Sequence, residues 1–418
     1  MLAHELTHAH NFDLLYGSSP AGVLSLNRVF QMPLWIAEGL AEFMSLGWDP
    51  ESDMYMRDAV LNDYIRHPSD LGGFLVYKEG QSMMYYIADR WGRKKLGELL
   101  AKGRAEVTAG RVIRSALGIS IDDFYDDWKF WVRRRYYPQL EGHELPEEFS
   151  DQITDHKKHK SYFNVQPVFN PTKDQLAFIS DRNDYIDIFL VDIPTKKLRR
   201  IEKGERSGEA QSFHPFDSRM SFSPDGRYLA HSVKLGHSDG IAIIDVRRKK
   251  RIRTLMFADK GVREINSPTW SPNGKNIAFA GLRDGQRDIF ITDTTASFIE
   301  PITDDIFDDN YPTFSPDGKQ IAFSSDRPVN GKTNLDAEFP QEYGIYNIFL
   351  IDIDDREVVA ITDDGAENKY PAFSPAENKI AFTSQRNGVA NIFVADLERD
   401  LSLIHISEPT RPLYISYA

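Results

Sequence analysis

Phe314-Ser-Pro-Asp-Gly-Lys-Gln-Ile-Ala-Phe323 decides the architecture of most of this 418-residue chain, because the phrase recurs. It returns as Phe169-Asn-Pro-Thr-Lys-Asp-Gln-Leu-Ala-Phe178, Phe222-Ser-Pro-Asp-Gly-Arg-Tyr-Leu-Ala-His231, Trp270-Ser-Pro-Asn-Gly-Lys-Asn-Ile-Ala-Phe279 and Phe373-Ser-Pro-Ala-Glu-Asn-Lys-Ile-Ala-Phe382. Proline presets φ at the first corner of a turn and Asp-Gly supports a tight return, so Ser-Pro-Asp-Gly joins two antiparallel strands. The apolar Ile-Ala-Phe that follows fills a buried strand. A third strand comes next each time, as in Ile188-Phe-Leu-Val-Asp192, Ile241-Ala-Ile-Ile-Asp245 and Ile348-Phe-Leu-Ile-Asp352, and Val358-Val-Ala-Ile-Thr362 reads as an outer fourth. The starts lie 53, 48, 44 and 59 residues apart. That spacing suits one four-stranded propeller blade plus variable loops. Five blade starts are visible and the fifth stops after its third strand. Closure needs the missing edges, so six or more blades are expected in an intact protein.

These repeats resemble the propeller of the Tol-Pal translocation protein and the propellers of prolyl-oligopeptidase-like enzymes. The resemblance implies an envelope protein partner bound through the propeller and a periplasmic, cell-envelope-associated or secreted location. Asp181-Arg182 and Asp326-Arg327 belong to the same pattern and are expected to serve as turns or ion pairs. No Gly-x-Ser-x-Gly elbow occurs, so the chain carries no signature of a serine hydrolase. An insertion at Pro328–Tyr346 lengthens the fourth blade and is a candidate contact loop.

Upstream of the repeats stands a different chemistry. In His4-Glu5-Leu6-Thr7-His8 the two histidines lie at i and i+4 and share one helix face, where they can grip one metal while Glu5 leans toward metal-bound water. Pro33-Leu-Trp-Ile-Ala-Glu38-Gly-Leu-Ala-Glu42-Phe43 reads as a second short helix, and its Glu38 can supply a third protein ligand.

Residues 1 to about 137 resemble the gluzincin metallopeptidases, in the thermolysin-like branch with H-E-L-T-H followed by P-x-W-x-x-E-G-x-A-E. The resemblance implies Zn2+ held by His4, His8 and Glu38, with Glu42 orienting a ligating histidine. It implies Glu5 as general base and Tyr77 as a candidate donor to the oxyanion, acting on a peptide or protein substrate. The expected function is therefore zinc-dependent peptide hydrolysis with the propeller as recognition or gating module. The competing expectation is a non-catalytic envelope interaction protein whose zincin part is structural or degenerate.

The motif begins four residues from the amino end with no preceding sheet to wall a substrate cleft, so an incomplete N-terminus is expected. Leu401-Ser-Leu-Ile-His-Ile-Ser-Glu-Pro-Thr-Arg411 and Ile415-Ser-Tyr-Ala418 read as a translated sequencing adapter and are set apart from the fold. The expected organisation is multidomain: a mainly helical zincin-like part over 1–139, a polar linker over 140–160, an all-β propeller over 161–400 and the tail 401–418. Helices are expected near 1–16, 33–47, 51–66, 78–91, 93–102, 108–117 and 121–136.

Composition narrows the partners. A formal charge of −13 argues against nucleic acid, whose phosphates reward a basic face. The basic run Arg247-Arg-Lys-Lys-Arg251 falls between strands and reads as a solvated turn. No apolar run approaches membrane-spanning length. The absence of cysteine excludes disulfides and thiol chemistry.

Overall fold

In a computed structural model, residues 2–16, 32–103, 106, 108–140, 151–155, 158, 161, 163–182, 185–204, 212–329, 345–376 and 378–397 are described. The tail 401–418 and most of the 328–346 insertion lie outside them. The chain divides into two compact units, Met1–Asp151 and Gln152–Ser416.

Seven α-helices form the described part of the first unit: α1 Leu2–Tyr16, α2 Leu34–Leu46, α3 Pro50–Leu61, α4 Leu75–Trp91, α5 Lys94–Gly103, α6 Ala109–Leu117 and α7 Ile121–Tyr136. The starts are chemical. Asp49 caps α3, accepting from the backbone N–H groups of Glu51 and Ser52 with Pro50 at the first helical position, and Ser120 accepts from the Asp123 N–H to cap α7. Helix α2 crosses α4 at Gly39 and Gly80. A Cβ on Gly39 would sit 2.3 Å from the Gly80 backbone, so only paired glycines permit this approach. Around the crossing, Trp35, Met83, Tyr86, Phe124 and Trp128 form one core.

Helix α4 also buries Glu79 completely. Its carboxyl accepts from the Arg66 N–H, and burial pushes its pKa from 4.5 up to about 8. The folded state holds a proton that the unfolded chain releases near 4.5. The associated stability is therefore full below that value and drains away as pH rises toward 8.

The second unit contains five antiparallel sheets, each a simple meander. The first has β1 Asn164–Phe169, β2 Gln175–Ser180, β3 Asp187–Asp192 and β4 Lys197–Glu202; the second has β5 Ser221–Phe222, β6 Tyr228–Leu235, β7 Ser238–Asp245 and β8 Lys250–Met256. The third has β9 Val262–Trp270, β10 Asn276–Arg283, β11 Gln286–Asp293 and β12 Ile299–Pro301; the fourth has β13 Asp309–Phe314, β14 Gln320–Ser325, β15 Asn347–Asp352 and β16 Val358–Ala360. The fifth, among the described residues, has β17 Asn368–Phe373, β18 Lys379–Ser384 and β19 Asn391–Asp396. These are five blades of an all-β propeller. Apolar strands from adjacent blades interleave, as where Ala278 and Ile291 pack with Phe314 and Phe323.

Three devices repeat. The first is the turn itself: Gly226, Gly274 and Gly318 all take φ near +70°, and Ser223 donates to Asp225 at 2.6 Å as Ser315 does to Asp317. The second is a left-handed residue before a proline, on the first strand of its blade at Gln166, Ser267, Tyr311 and Tyr370 and ahead of β5 at His214. In four of the blades the ladder shifts register there, and the proline has no N–H to leave unpaired. The third is an arginine over two aromatic rings: Arg182 on Phe178 and Phe189, Arg327 on Phe323 and Phe349, Arg386 on Phe382 and Phe393, all within 5.5 Å of the centroids. Arg327 also reaches Asp309 at 2.7 Å. The Asp-Arg pairs of the sequence thus act through the arginine as cross-strand clamps.

The basic run departs from the expected solvated turn at one end. Arg251 lies on β8, and its Nε donates to Glu202 of the neighbouring blade at 2.8 Å, while His231 Nε2 meets the same carboxylate at 3.0 Å. Burial alone would raise the Glu202 carboxyl, but His231 and Arg251 outweigh it and hold the group below its usual value.

Urea unfolding followed by tryptophan fluorescence reports chiefly on the helical unit, which carries five of the six tryptophans. The unfolding free energy read this way should fall between pH 5 and pH 8. Glu79→Gln should flatten that fall and add about 1 kcal/mol or more at pH 8; an unchanged slope would contradict the protonated, buried assignment of Glu79.

Candidate functional site

Helix α1 presents His4 and His8 one turn apart, and α2 presents Glu38 and Glu42 one turn apart, so two helical faces meet with two side chains each. His4 Nε2 lies 3.0 Å from His8 Nε2 and 3.2 Å from Glu38 Oε2, and His8 Nε2 lies 3.1 Å from the same oxygen. The three atoms form a nearly equilateral triangle. Ligands at zinc distances on a tetrahedron stand about 3.3 Å apart, so two imidazole nitrogens and one carboxylate oxygen in this arrangement fit one face of a zinc coordination sphere.

A chain of partners stands behind the triangle. His4 Nδ1 is 3.2 Å from Glu42 Oε1, a charge contact that lacks hydrogen-bond geometry, while its Nε2 faces His8 and Glu38. Glu42 Oε2 accepts from Lys78 Nζ at 3.0 Å; Lys78 also donates to Ser52 Oγ at 3.3 Å, and Ser52 to Asp49 at 2.6 Å. Lys78 is buried on α4 beside the Gly39–Gly80 crossing, and that crossing brings its amine within reach of α2. The Tyr77 ring lies 6.2 Å from the His4 ring. Burial, with the nearby charges of Glu38, Glu42 and Glu5, raises its pKa, so its hydroxyl stays protonated at neutral pH. Glu5 is exposed on α1.

Sequence reasoning missed Lys78, Ser52 and Asp49 as a set. The signal was a lysine inside Val76-Tyr-Lys-Glu-Gly-Gln-Ser-Met-Met, a helix segment too apolar to leave a cation unpartnered. It also missed a second convergence of acids, Asp288, Asp305 and Asp309. There Arg327 pairs with Asp305 at 3.1 Å and with Asp309 at 2.7 Å where blades three and four meet, and burial raises the Asp288 carboxyl to about 6 and the Asp309 carboxyl to about 7.

Residues 218–335 match the family model described as the TolB beta propeller domain. A curated relative, the Protein TolB homolog of Protochlamydia amoebophila (strain UWE25), is 27% identical over 146 residues, which is 33% of this chain and 30% of that protein. The chain thus matches under a third of the length of that relative. Among solved structures, TolB from Acinetobacter baumannii aligns with a TM-score of 0.44 at 20% identity, covering 56% of this chain and 51% of that one. Kuenenia stuttgartiensis hydrazine synthase aligns at 0.41 and 19% identity, covering 58% and 67%. The propeller is TolB-like.

This corrects the expectation of a zinc metallopeptidase. The relatives found are named TolB, and the residues that match the family model, 218–335, lie in the propeller and not in the helical unit that carries the metal-type motif. The physical reason is that three convergent ligand atoms show that a metal can be held, not that a substrate is turned over. Hydrolysis needs in addition a positioned base and a substrate wall.

Zinc titration with a chromophoric chelator tests the triangle. Full-length chain should take up one Zn2+, and His8→Ala or Glu38→Ala should abolish stoichiometric uptake. Glu42→Gln and Lys78→Met should keep uptake but weaken it by roughly 10–100-fold, the usual range for a partner one step behind a ligand. Uptake by His8→Ala equal to wild type would remove His8 from the site.

Proposed function

We propose that this chain is a non-catalytic cell-envelope interaction protein that works through its propeller, with a structural zinc held by His4, His8 and Glu38. The observation that carries this reading is the match of residues 218–335 to the TolB beta propeller domain. A propeller suits the task, because it holds many loops on a rigid ring of blades and offers them to a partner without itself rearranging. The partner is an envelope protein of the Tol-Pal type, and the location is periplasmic or envelope-associated. No helix among the described residues is long and apolar enough to cross a membrane.

Zinc, when bound, would supply cross-linking. His4, His8 and Glu38 would tie α1 to α2, and Glu42 with Lys78 would fix the ring of His4. Tyr77 and Glu5 then border the site without a chemical step assigned to them.

Two assays separate binding from hydrolysis. Zinc-loaded full chain incubated with a pool of unfolded peptides should release no more amino termini than the Glu5→Gln variant or the chelated protein. Binding to the envelope partner should survive chelation. Chelator-sensitive cleavage that disappears in Glu5→Gln would overturn the non-catalytic reading, since removing a general base lowers a hydrolytic rate by about 10²–10⁴-fold.

A further inference from the structure

The turn between β7 and β8 sets an exposed basic tip on an acidic protein. Arg247, Lys249 and Lys250 are exposed and make no ion pair among the described residues, and Lys249 holds the left-handed turn position. Their neighbours are occupied: Arg248 is drawn to Asp245, and Arg251 to Glu202. Two residues beyond the tip, Ile252 and Arg253 of β8 line a groove of about 620 Å3 between blades two and three. Ile243 and Ile252 line it with the rings of Tyr228 and Trp270, which stack at 6.5 Å; Ile252 is 47% exposed although it sits beside the charges. Arg253 closes one end, fixed by its bond to the Thr294 carbonyl at 2.8 Å. Asp225 is an acid of the lining, and its Oδ1 accepts from Ser223 Oγ and the Arg227 N–H.

The corresponding groove between blades three and four is smaller, about 340 Å3, and has Phe314 where this one has Trp270. The outer turn of blade three is Thr294-Thr295-Ala296-Ser297, without a basic residue. Of these two grooves, the larger is therefore also the one with the tryptophan and with a basic turn beside it.

We infer that the tip Arg247–Lys250 and the groove floored by Ile252 and Trp270 dock an acidic, extended segment of a protein partner, with one large apolar side chain seated in the groove. This rests on the envelope-interaction reading and adds where the partner binds and with what chemistry. Charge complementarity argues for the acidic character: three cations with no ion-pair partner among the described residues stand on a chain of net charge −13. A peptide is favoured over an anionic bilayer because the groove admits a side chain, whereas the summed negative charge opposes approach to a whole anionic surface.

The test uses full-length protein and a fluorescein-labelled peptide carrying glutamates on both sides of one tryptophan, read by polarisation. Wild type should bind saturably and more weakly as salt rises. Arg247→Glu/Lys250→Glu and, separately, Ile252→Asp should each weaken binding at least about tenfold with thermal unfolding unchanged, since all three side chains are exposed. A peptide with glutamine in place of glutamate should lose most of the affinity. Equal binding by the charge-reversed variant, or binding of phosphatidylglycerol vesicles with none of the peptide, would overturn the inference. If the envelope partner is retained equally by wild type and the charge-reversed variant, this surface is wrong while the envelope reading stands. If wild type retains no envelope partner, that reading fails first.

Discussion

Blades two, three and four of this propeller are each fastened to the one before at the repeated turn, and much of the second unit depends on that contact. Asn170 donates to the Gly226 carbonyl at 2.9 Å, Gly274 lies against Pro224 and Gly318 against Pro272. A Cβ at Gly226 would come within 2.2 Å of Asn170 Oδ1, so the glycine that permits the turn also permits the seat of the neighbouring blade. One local requirement thus sets both strand pairing within a blade and spacing between blades, and for that reason a ten-residue phrase carries so much of the fold.

The helical unit shows the same economy in another form. Gly39 and Gly80 let two backbones touch, and the touch places Lys78 against Glu42, which in turn faces His4. The metal-type triangle is the visible end of a buried polar chain reaching Ser52 and Asp49 at the start of α3. Such a chain is costly when half made, because each buried charge depends on the next for its partner.

How much of this was legible in the sequence follows from the range of each interaction. The turns, the third strands and the seven helices are encoded locally and could be read directly. Of the outer strands, Val358–Ala360 is apolar enough to be recognised, but Lys197–Glu202 and Lys250–Met256 are charged, and their strand character comes from pairing with β3 and β7. Arg251 was read as solvated because its partner, Glu202, is 49 residues away. His4, His8, Glu38 and Glu42 were legible through helical spacing; Lys78 was not, since its role depends on the crossing of two helices. The catalytic expectation went further than spacing allows, because converging ligands show that a metal can be held and leave open whether a base and a bound substrate accompany it.

The central proposal is that partners are engaged by the propeller while the helical unit would hold a metal for its own integrity. Site-specific photo-crosslinking of the full chain within the bacterial envelope, with probes distributed over both units, addresses it most directly. Crosslinks to an intact partner protein should concentrate on the propeller. Crosslinks confined to the surroundings of His4, His8 and Tyr77, and joined to cleaved partner fragments, would contradict it.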